Sequence, residues 1–334
     1  MNSPANRVSD GGTTTGPTPP DAGGPGSGFR HELYAYQGEA QFLAGTLSFI
    51  DDALTGGEIV LVAVAEAKQH LLREQLNGHG KDVSFLDVDA LGRNPARLIP
   101  AWQSWIAECT DAGRPVRGIG ESRWTGRSQV EAAELRYHEW LLNLAFVKSP
   151  AWWLLCPYDT DAASGTVLEA LGRCHPLQFT DGGHGPSPTY QDSPYDFDEL
   201  GPPCDPHHAF AYGPGQLGAV REKVADCATA HGLDGTRLRE LLIAATEVAT
   251  NSINHGGGHG TLRVWTEETD LVCEFHDAGY IDNPLIGRVR PHPDQVGGHG
   301  MWLVQQLCDL VRIRSTPDTG TTVRLYTTLP PKAG

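Results

Sequence analysis

The chain reads as two folded units, a mostly parallel α/β sheet followed by an α+β domain, and three observations predict this. Residues 29–178 alternate short unbroken apolar runs with helical stretches, the pattern of strands covered on both faces by crossover helices. Residues 207–334 change to helices, a hairpin and a closing strand. Between them, residues 179–206 are Gly, Pro and acidic residues without periodicity. A length of 334 residues also suits two cores better than one.

Residues 1–28 are rich in Ser, Thr, Pro and Gly and cannot bury enough apolar surface to offset ordering entropy. A disordered tail is expected there, and no signal peptide. In the first folded unit, a helix-like stretch at 38–54 ends before Gly56-Gly57 and the apolar run 59–65. A second helix at 68–76 and a second strand at 83–86 follow. Further strands are expected at 116–120 and 152–156, with a helix at 130–146 between them. Residues 179–206 are expected to be a flexible linker that leaves the two domains without a fixed interface. From 207 onward the order is a helix, a longer helix, a hairpin, a loop-rich stretch, another helix and a last strand.

Composition narrows the function. The formal charge of −16 repels phosphate backbones and anionic lipid, which disfavours nucleic acid and membrane surfaces and leaves protein partners open. Seven scattered cysteines, none in a C-x-x-C pair, argue for reduced thiols in the cytoplasm and against a disulfide frame or zinc ribbon. No apolar run approaches the ~18 residues of a membrane helix. The histidines of His255-Gly-Gly-Gly-His259 and His207-His208 lack a Cys or carboxylate at matching spacing, so surface loops account for them better than a metal.

The chemistry concentrates near the C-terminus. Over residues 236–255, Leu238, Leu241, Leu242, Ala245, Val248, Ala249 and Ser252 form one helical stripe. Glu247 and Asn251 lie one turn apart on the opposite face. A strand at 271–275 leads into Asp277-Ala278-Gly279, which places a carboxylate over a groove with little side-chain obstruction. Gly297-Gly298-His299-Gly300 then opens a helix at 301–310, exposing backbone N–H groups and a positive dipole end suited to phosphate. Gly320-Thr321 opens the last strand.

In this order, E-x-x-x-N-x-x-x-H-G, D-x-G, G-G-x-G and G-T resemble the GHKL ATPase superfamily over about residues 207–330. The flanking residues Ala244-Ala245-Thr246-Glu247-Val248-Ala249-Thr250-Asn251 and Gly300-Met301-Trp302-Leu303-Val304 look most like its anti-sigma-factor serine kinase branch. The resemblance implies an α+β GHKL sandwich that binds ATP and Mg²⁺. It implies that Asn251 holds Mg²⁺, Glu247 is the base, and Asp277 accepts the adenine amino group with Gly279 keeping the approach open. Gly297, Gly298 and Gly300 would wrap the phosphates, and Thr321 would sit beneath the adenine. The chain departs from the family's pattern at Tyr280 and His299. A histidine kinase would need an acceptor His on a dimerisation hairpin upstream, and His231 before Gly232 is poorly placed for that.

Residues 29–178 resemble the MEDS sensory domain, a degenerate RecA-like module of bacterial regulators. The matching residues are His31, Tyr36, Gly120-Glu121, Trp124, His138-Glu139, Asn143, Cys156, Tyr158-Asp159 and His175-Pro176. The run 57–62 resembles a RecA first strand, but Ala63-Val64-Ala65-Glu66-Ala67-Lys68 lacks the glycines of a phosphate loop, so no nucleotide is expected here. Glu66, Glu121 and Asp159 each follow a predicted strand, which would put them at the carboxyl edge where open α/β sheets bind ligands. They are candidates for a small-ligand sensory pocket.

Two functions remain in view. One is a switchable serine/threonine kinase that acts on an anti-anti-sigma protein of the STAS type and otherwise holds a sigma factor. The other is a non-catalytic ATP-binding sensor that captures a protein partner. The sequence leaves a homodimer open.

Overall fold

The computed structural model describes residues 28–77, 80–162, 165–180, 183–192, 200–203, 209–292, 294–295 and 297–331. The tail expected at 1–28, apart from Gly28, and the pair His207-His208 lie outside the described residues.

The first sheet contains β1 (Phe29–Tyr36), β2 (Ile59–Val64), β3 (Val83–Asp87), β4 (Val116–Gly120), β5 (Trp152–Asp159), β6 (Leu177–Thr180) and β7 (Gly183–Pro186). Their order is β3-β2-β4-β5-β1-β6-β7, and every neighbouring pair is parallel except β6 with β7. The connecting helices are α1 (Gly38–Thr55), α2 (Glu66–Leu76), α3 (Leu98–Asp111), α4 (Gln129–Phe146) and α5 (Gly165–Cys174). The unbroken apolar run of β2 now has its reason. Val60, Val62 and Val64 pack with Phe49, Ile50 and Leu72 of α1 and α2. Leu61 and Ala63 face the opposite core with Trp102 and Leu141 of α3 and α4.

The second sheet is antiparallel, in the order β11-β12-β10-β9-β8. Its strands are β8 (Phe210–Tyr212), β9 (Gly260–Glu267), β10 (Asp270–Asp277), β11 (Leu310–Thr316) and β12 (Gly320–Thr328). Helices α6 (Leu217–Ala230), α7 (Gly235–His255) and α8 (His299–Leu307) cover one face. Alternation along β10 sends Leu271, Cys273 and Phe275 towards those helices and Val272 to the other face, beside Trp265, Leu310 and Tyr326. Val130 of α4 packs against that second cluster. Among the described residues no helix is long and apolar enough to cross a membrane.

Two expectations need correction. The segment 179–206 does not begin as linker, because β6 and β7 form a hairpin on the edge of the first sheet. His184 anchors it by meeting the buried Glu32 carboxylate at 2.9 Å and stacking on Phe179. Nor are the domains free of one another. Residues 89–97, wound into two 3₁₀ turns, form a strap that reaches the second domain. Arg93 makes a two-pronged ion pair with Asp270 at 2.6 and 3.0 Å. Asn94 donates to the backbone and side-chain oxygens of Gln305. Arg93, Asn94 and Arg97 are polar residues of a loop between a strand and a helix, a pattern that in sequence is the same whether it faces solvent or another domain.

Candidate functional site

The C-terminal pocket is built on α7. Its stripe of Leu241, Ala244, Ala245, Val248, Ala249 and Ser252 is buried, which turns Glu247 and Asn251 away from the core. The helix ends at His255, and the Gly256 carbonyl accepts from Ala278 N–H at 3.2 Å, tying the helix end to the end of β10. Small residues are required at this junction. A Cβ on Gly256 would strike the Asp277 carboxyl carbon, and one on Gly279 would come within 2.7 Å of the His255 carbonyl. Asp277 accepts from Gly279 N–H at 2.9 Å, and Thr321 donates to the Gly279 carbonyl at 2.8 Å.

These residues line a cavity of about 370 Å³, together with Asn251, His255, Tyr280, Gly298, Gly300 and the apolar side chains Val248, Ile286 and Met301. Of the predicted site residues, Asn251, Asp277, Gly279, Gly298, Gly300 and Thr321 converge on it. Glu247 does not line the cavity, but it abuts its loop, since a Cβ on Gly300 would meet Glu247 Oε2 at 2.6 Å. Gly297 is exposed and lies outside the lining. Gly297 and Gly298 hold φ of +87° and +83°, and Gly298 caps α8, so the loop presents its N–H groups at a helix start. The cavity, glycine cradle and helix terminus fit an adenine nucleotide with Mg²⁺. The apolar walls were not singled out from sequence; their signal was only the helical spacing that also marks core.

The other end of α8 and the loop between Asp277 and Gly297 are held by the first domain. Arg97 of the strap donates to the carbonyls of Gln305, Gln306 and Cys308 at 2.8–3.2 Å, which closes the C-terminal end of α8. Arg288, in the segment 280–292 of that loop, which would form a lid over the cavity, is 1% exposed and ion-pairs with Glu134 of α4. Glu134 also faces Arg314 at 3.4 Å and Arg312 at 3.7 Å.

A second candidate site lies at the carboxyl edge of the first sheet. A cavity of about 260 Å³ there is lined by Lys68, Glu121, Ser122, Trp124, Thr125 and Asp159, among others. Tyr36 donates to Glu121 at 2.7 Å, and Lys68 bridges both. Burial raises the Glu121 carboxyl above its ordinary range, against the opposing pull of the Lys68 ammonium. Glu121 and Asp159 are therefore together, as expected. Glu66 is not: it opens α2 with an exposed side chain that meets His70 at 3.6 Å and does not line this cavity. Two residues on, the helical turn swings Lys68 inward instead, onto Tyr36 and Glu121.

Comparison with known proteins gives the two halves separate relatives. The family model described as MEDS (MEthanogen/methylotroph, DcmR Sensory domain) matches residues 30–176, and that of the histidine kinase-like ATPase domain matches residues 210–327. A search of curated proteins found no match. Among solved structures, the RsbU and RsbW domains of Rv1364c from Mycobacterium tuberculosis align with 38% of this chain and 34% of that one, at 16% identity and a TM-score of 0.28. This chain thus spans about a third of that protein's structure, a likeness too distant to carry an argument. Strands β1–β5 and the antiparallel sheet correspond to the two matched segments, with β6 and β7 beyond the first, and the chain joins a MEDS domain to a histidine kinase-like ATPase domain.

Proposed function

We propose that the protein is a signal-responsive anti-sigma regulator that binds ATP–Mg²⁺ and phosphorylates a serine or threonine of an anti-anti-sigma protein of the STAS type. The observation that carries this reading is the convergence of Asp277, Asn251 and the Gly298–Gly300 loop on one cavity, with Glu247 against that loop. Bound ATP–Mg²⁺ would supply the transferable phosphoryl group. Asp277, cradled by glycines, receives the adenine amino group, and Thr321 closes the floor beneath it. Asn251 would hold the metal, while Gly298 and Gly300 would direct N–H groups to the phosphates, with Gly297 outside the lining giving the loop its turn. Glu247 accepts the proton of the attacking hydroxyl, which comes from the partner. A small ligand at the cavity of Lys68, Glu121 and Asp159 is the signal.

A non-catalytic ATP-binding sensor is the second reading. Arg288 favours it, because its burial on Glu134 ties the lid to the first domain.

The test is to incubate the protein with labelled ATP, Mg²⁺ and STAS-type proteins, beside Asp277→Ala and Glu247→Ala. Asp277→Ala should lose about 1.5–3 kcal/mol of nucleotide binding by calorimetry, the value of a hydrogen bond to a charged group. Glu247→Ala should bind normally and transfer nothing. Binding by wild type without transfer to any partner selects the sensor; unchanged affinity in Asp277→Ala sinks both readings.

A further inference from the structure

The core of the first domain contains a polar cluster that neither candidate cavity uses. His31 on β1, Cys156 on β5, Glu139 on α4 and His175 after α5 each contribute one ligand-type atom, and these atoms all lie within 4.8 Å of one another. All four side chains are buried, at 0–3% exposure. His31 and Cys156 meet because β1 and β5 are parallel neighbours, with Cys156 beside Leu33 in register and both residues on the face covered by α4. Glu139 descends from that helix, and the chain turns into β6 just after His175.

The ring nitrogens are oriented in a particular way. His31 Nδ1 meets the Asn143 side-chain oxygen at 3.1 Å, and His175 Nδ1 meets the Leu171 carbonyl at 2.8 Å. Both partners are acceptors, so each Nδ1 carries the proton and each Nε2 is left with a lone pair. Asn143 is itself fixed, donating to the Cys174 carbonyl at 2.7 Å. Both Nε2 atoms face the Glu139 carboxylate. His31 Nε2 lies 3.6 Å and His175 Nε2 3.8 Å from Glu139 Oε2, and the Cys156 sulfur is 3.3 Å from His31 Nε2. Glu139 Oε2 and His175 Nε2 have no hydrogen-bond partner although both are shut off from solvent. Leaving such atoms unpaired costs roughly 1–3 kcal/mol each, more for a charged carboxylate. Lone pairs aimed at one another in a dry core call for a cation between them.

We propose that His31, Glu139, Cys156 and His175 form a closed four-ligand site for a divalent transition metal of the zinc class. Two neutral imidazoles, one thiolate and one carboxylate balance a dication, which makes the buried site neutral overall. Bonds of about 2.0–2.3 Å give a tetrahedron with edges of roughly 3.3–3.8 Å, which the separations of 3.3, 3.6 and 3.8 Å already match, and the widest pair would close by about 1 Å. The donor set of nitrogen, sulfur and oxygen suits zinc or its neighbours and not Mg²⁺ or Ca²⁺. The bound metal pins α4 to β1 and β5 and leaves no ligand position to solvent, which makes the site structural rather than hydrolytic.

The experiment uses the full chain, purified without chelator. Elemental analysis should find a stoichiometric first-row divalent metal, and Cys156→Ser and His175→Gln should reduce it to background while His255→Ala retains it. Chelator-treated wild type should take up Co²⁺ with sulfur-to-cobalt charge transfer and tetrahedral d–d bands, and should melt at a lower temperature until Zn²⁺ is returned. The cobalt spectrum requires no variant to fold. Wild type that remains folded, carries no metal and binds neither Zn²⁺ nor Co²⁺ overturns the proposal, as does a cobalt spectrum unchanged in Cys156→Ser.

Discussion

Asp277 is positioned mainly by the absence of side chains around it. Gly256 and Gly320 both approach so closely that a methyl group on either would overlap Asp277 atoms. Gly256→Ala should therefore push the carboxyl out of the cavity and weaken nucleotide binding by calorimetry, at a stability cost of about 1–3 kcal/mol, the usual penalty for overpacking. Unchanged affinity in that variant would mean the carboxyl position does not matter. A different balance governs Glu121, whose burial outweighs its contact with Lys68. A carboxyl raised in the folded state stabilises it when protonated. That contribution is complete below the ordinary value of 4.5 and is lost as pH rises through the folded value. Wild type should accordingly lose stability relative to Glu121→Gln as pH increases across that window, as followed by urea denaturation; parallel curves would refute the burial argument. Asp277, Asn251 and the loop glycines were legible in sequence because their spacing sits on one helix, one strand end and one loop. Lys68 and the His31–Cys156 cluster were not, because long-range packing alone brings their partners together.

Helix α8 is exposed to influence at both ends. Its start forms the glycine loop of the nucleotide cavity, and its last carbonyls belong to Arg97 of the other domain. Removing that guanidinium takes the donor from the Gln306 and Cys308 carbonyls, while Gln305 keeps the bond from Asn94, at a cost on the order of 1–3 kcal/mol. Arg97→Ala should thus accelerate amide exchange over residues 299–307 while the first sheet keeps its protection; exchange at the wild-type rate would show that the strap is not needed to hold the helix. Strong periodicity had predicted α4 and α7 nearly to the residue, with observed bounds of Gln129–Phe146 and Gly235–His255. The expected helix at 301–310 runs too far, because Leu310 already belongs to β11. Helices α3 and α5 and strands β1, β8 and β11 were passed over. In β1 the reason is visible: His31 and Glu32 place polar atoms in a central strand, where each is compensated by a partner distant in sequence, Asn143 and His184.

At the level of the whole molecule, the fold class of each half was readable from local pattern, while their docking was not. Docking depends on Arg93, Asn94, Arg97, Glu134 and Arg288, each of which reads as an ordinary surface residue in its own segment. The isolated fragment 207–334 tests how much that docking matters. It lacks Glu134 and Val130, so Arg288 loses its counter-ion and the cluster of Trp265, Val272, Leu310 and Tyr326 loses its cover. Amides of the lid at 280–292 should exchange faster in the fragment than in the full chain by mass spectrometry, and equal rates would show that the first domain does not restrain the lid. The strap has one more consequence, for protein engineering. Exchanging the front half for a foreign receptor by cutting at the Pro-rich stretch would yield a chimera with a frayed helix end and a stranded arginine. A graft that respects this molecule must carry a match for Arg97 at one helix terminus and for Glu134 under the lid, so the transplantable unit is larger than the ATPase domain alone.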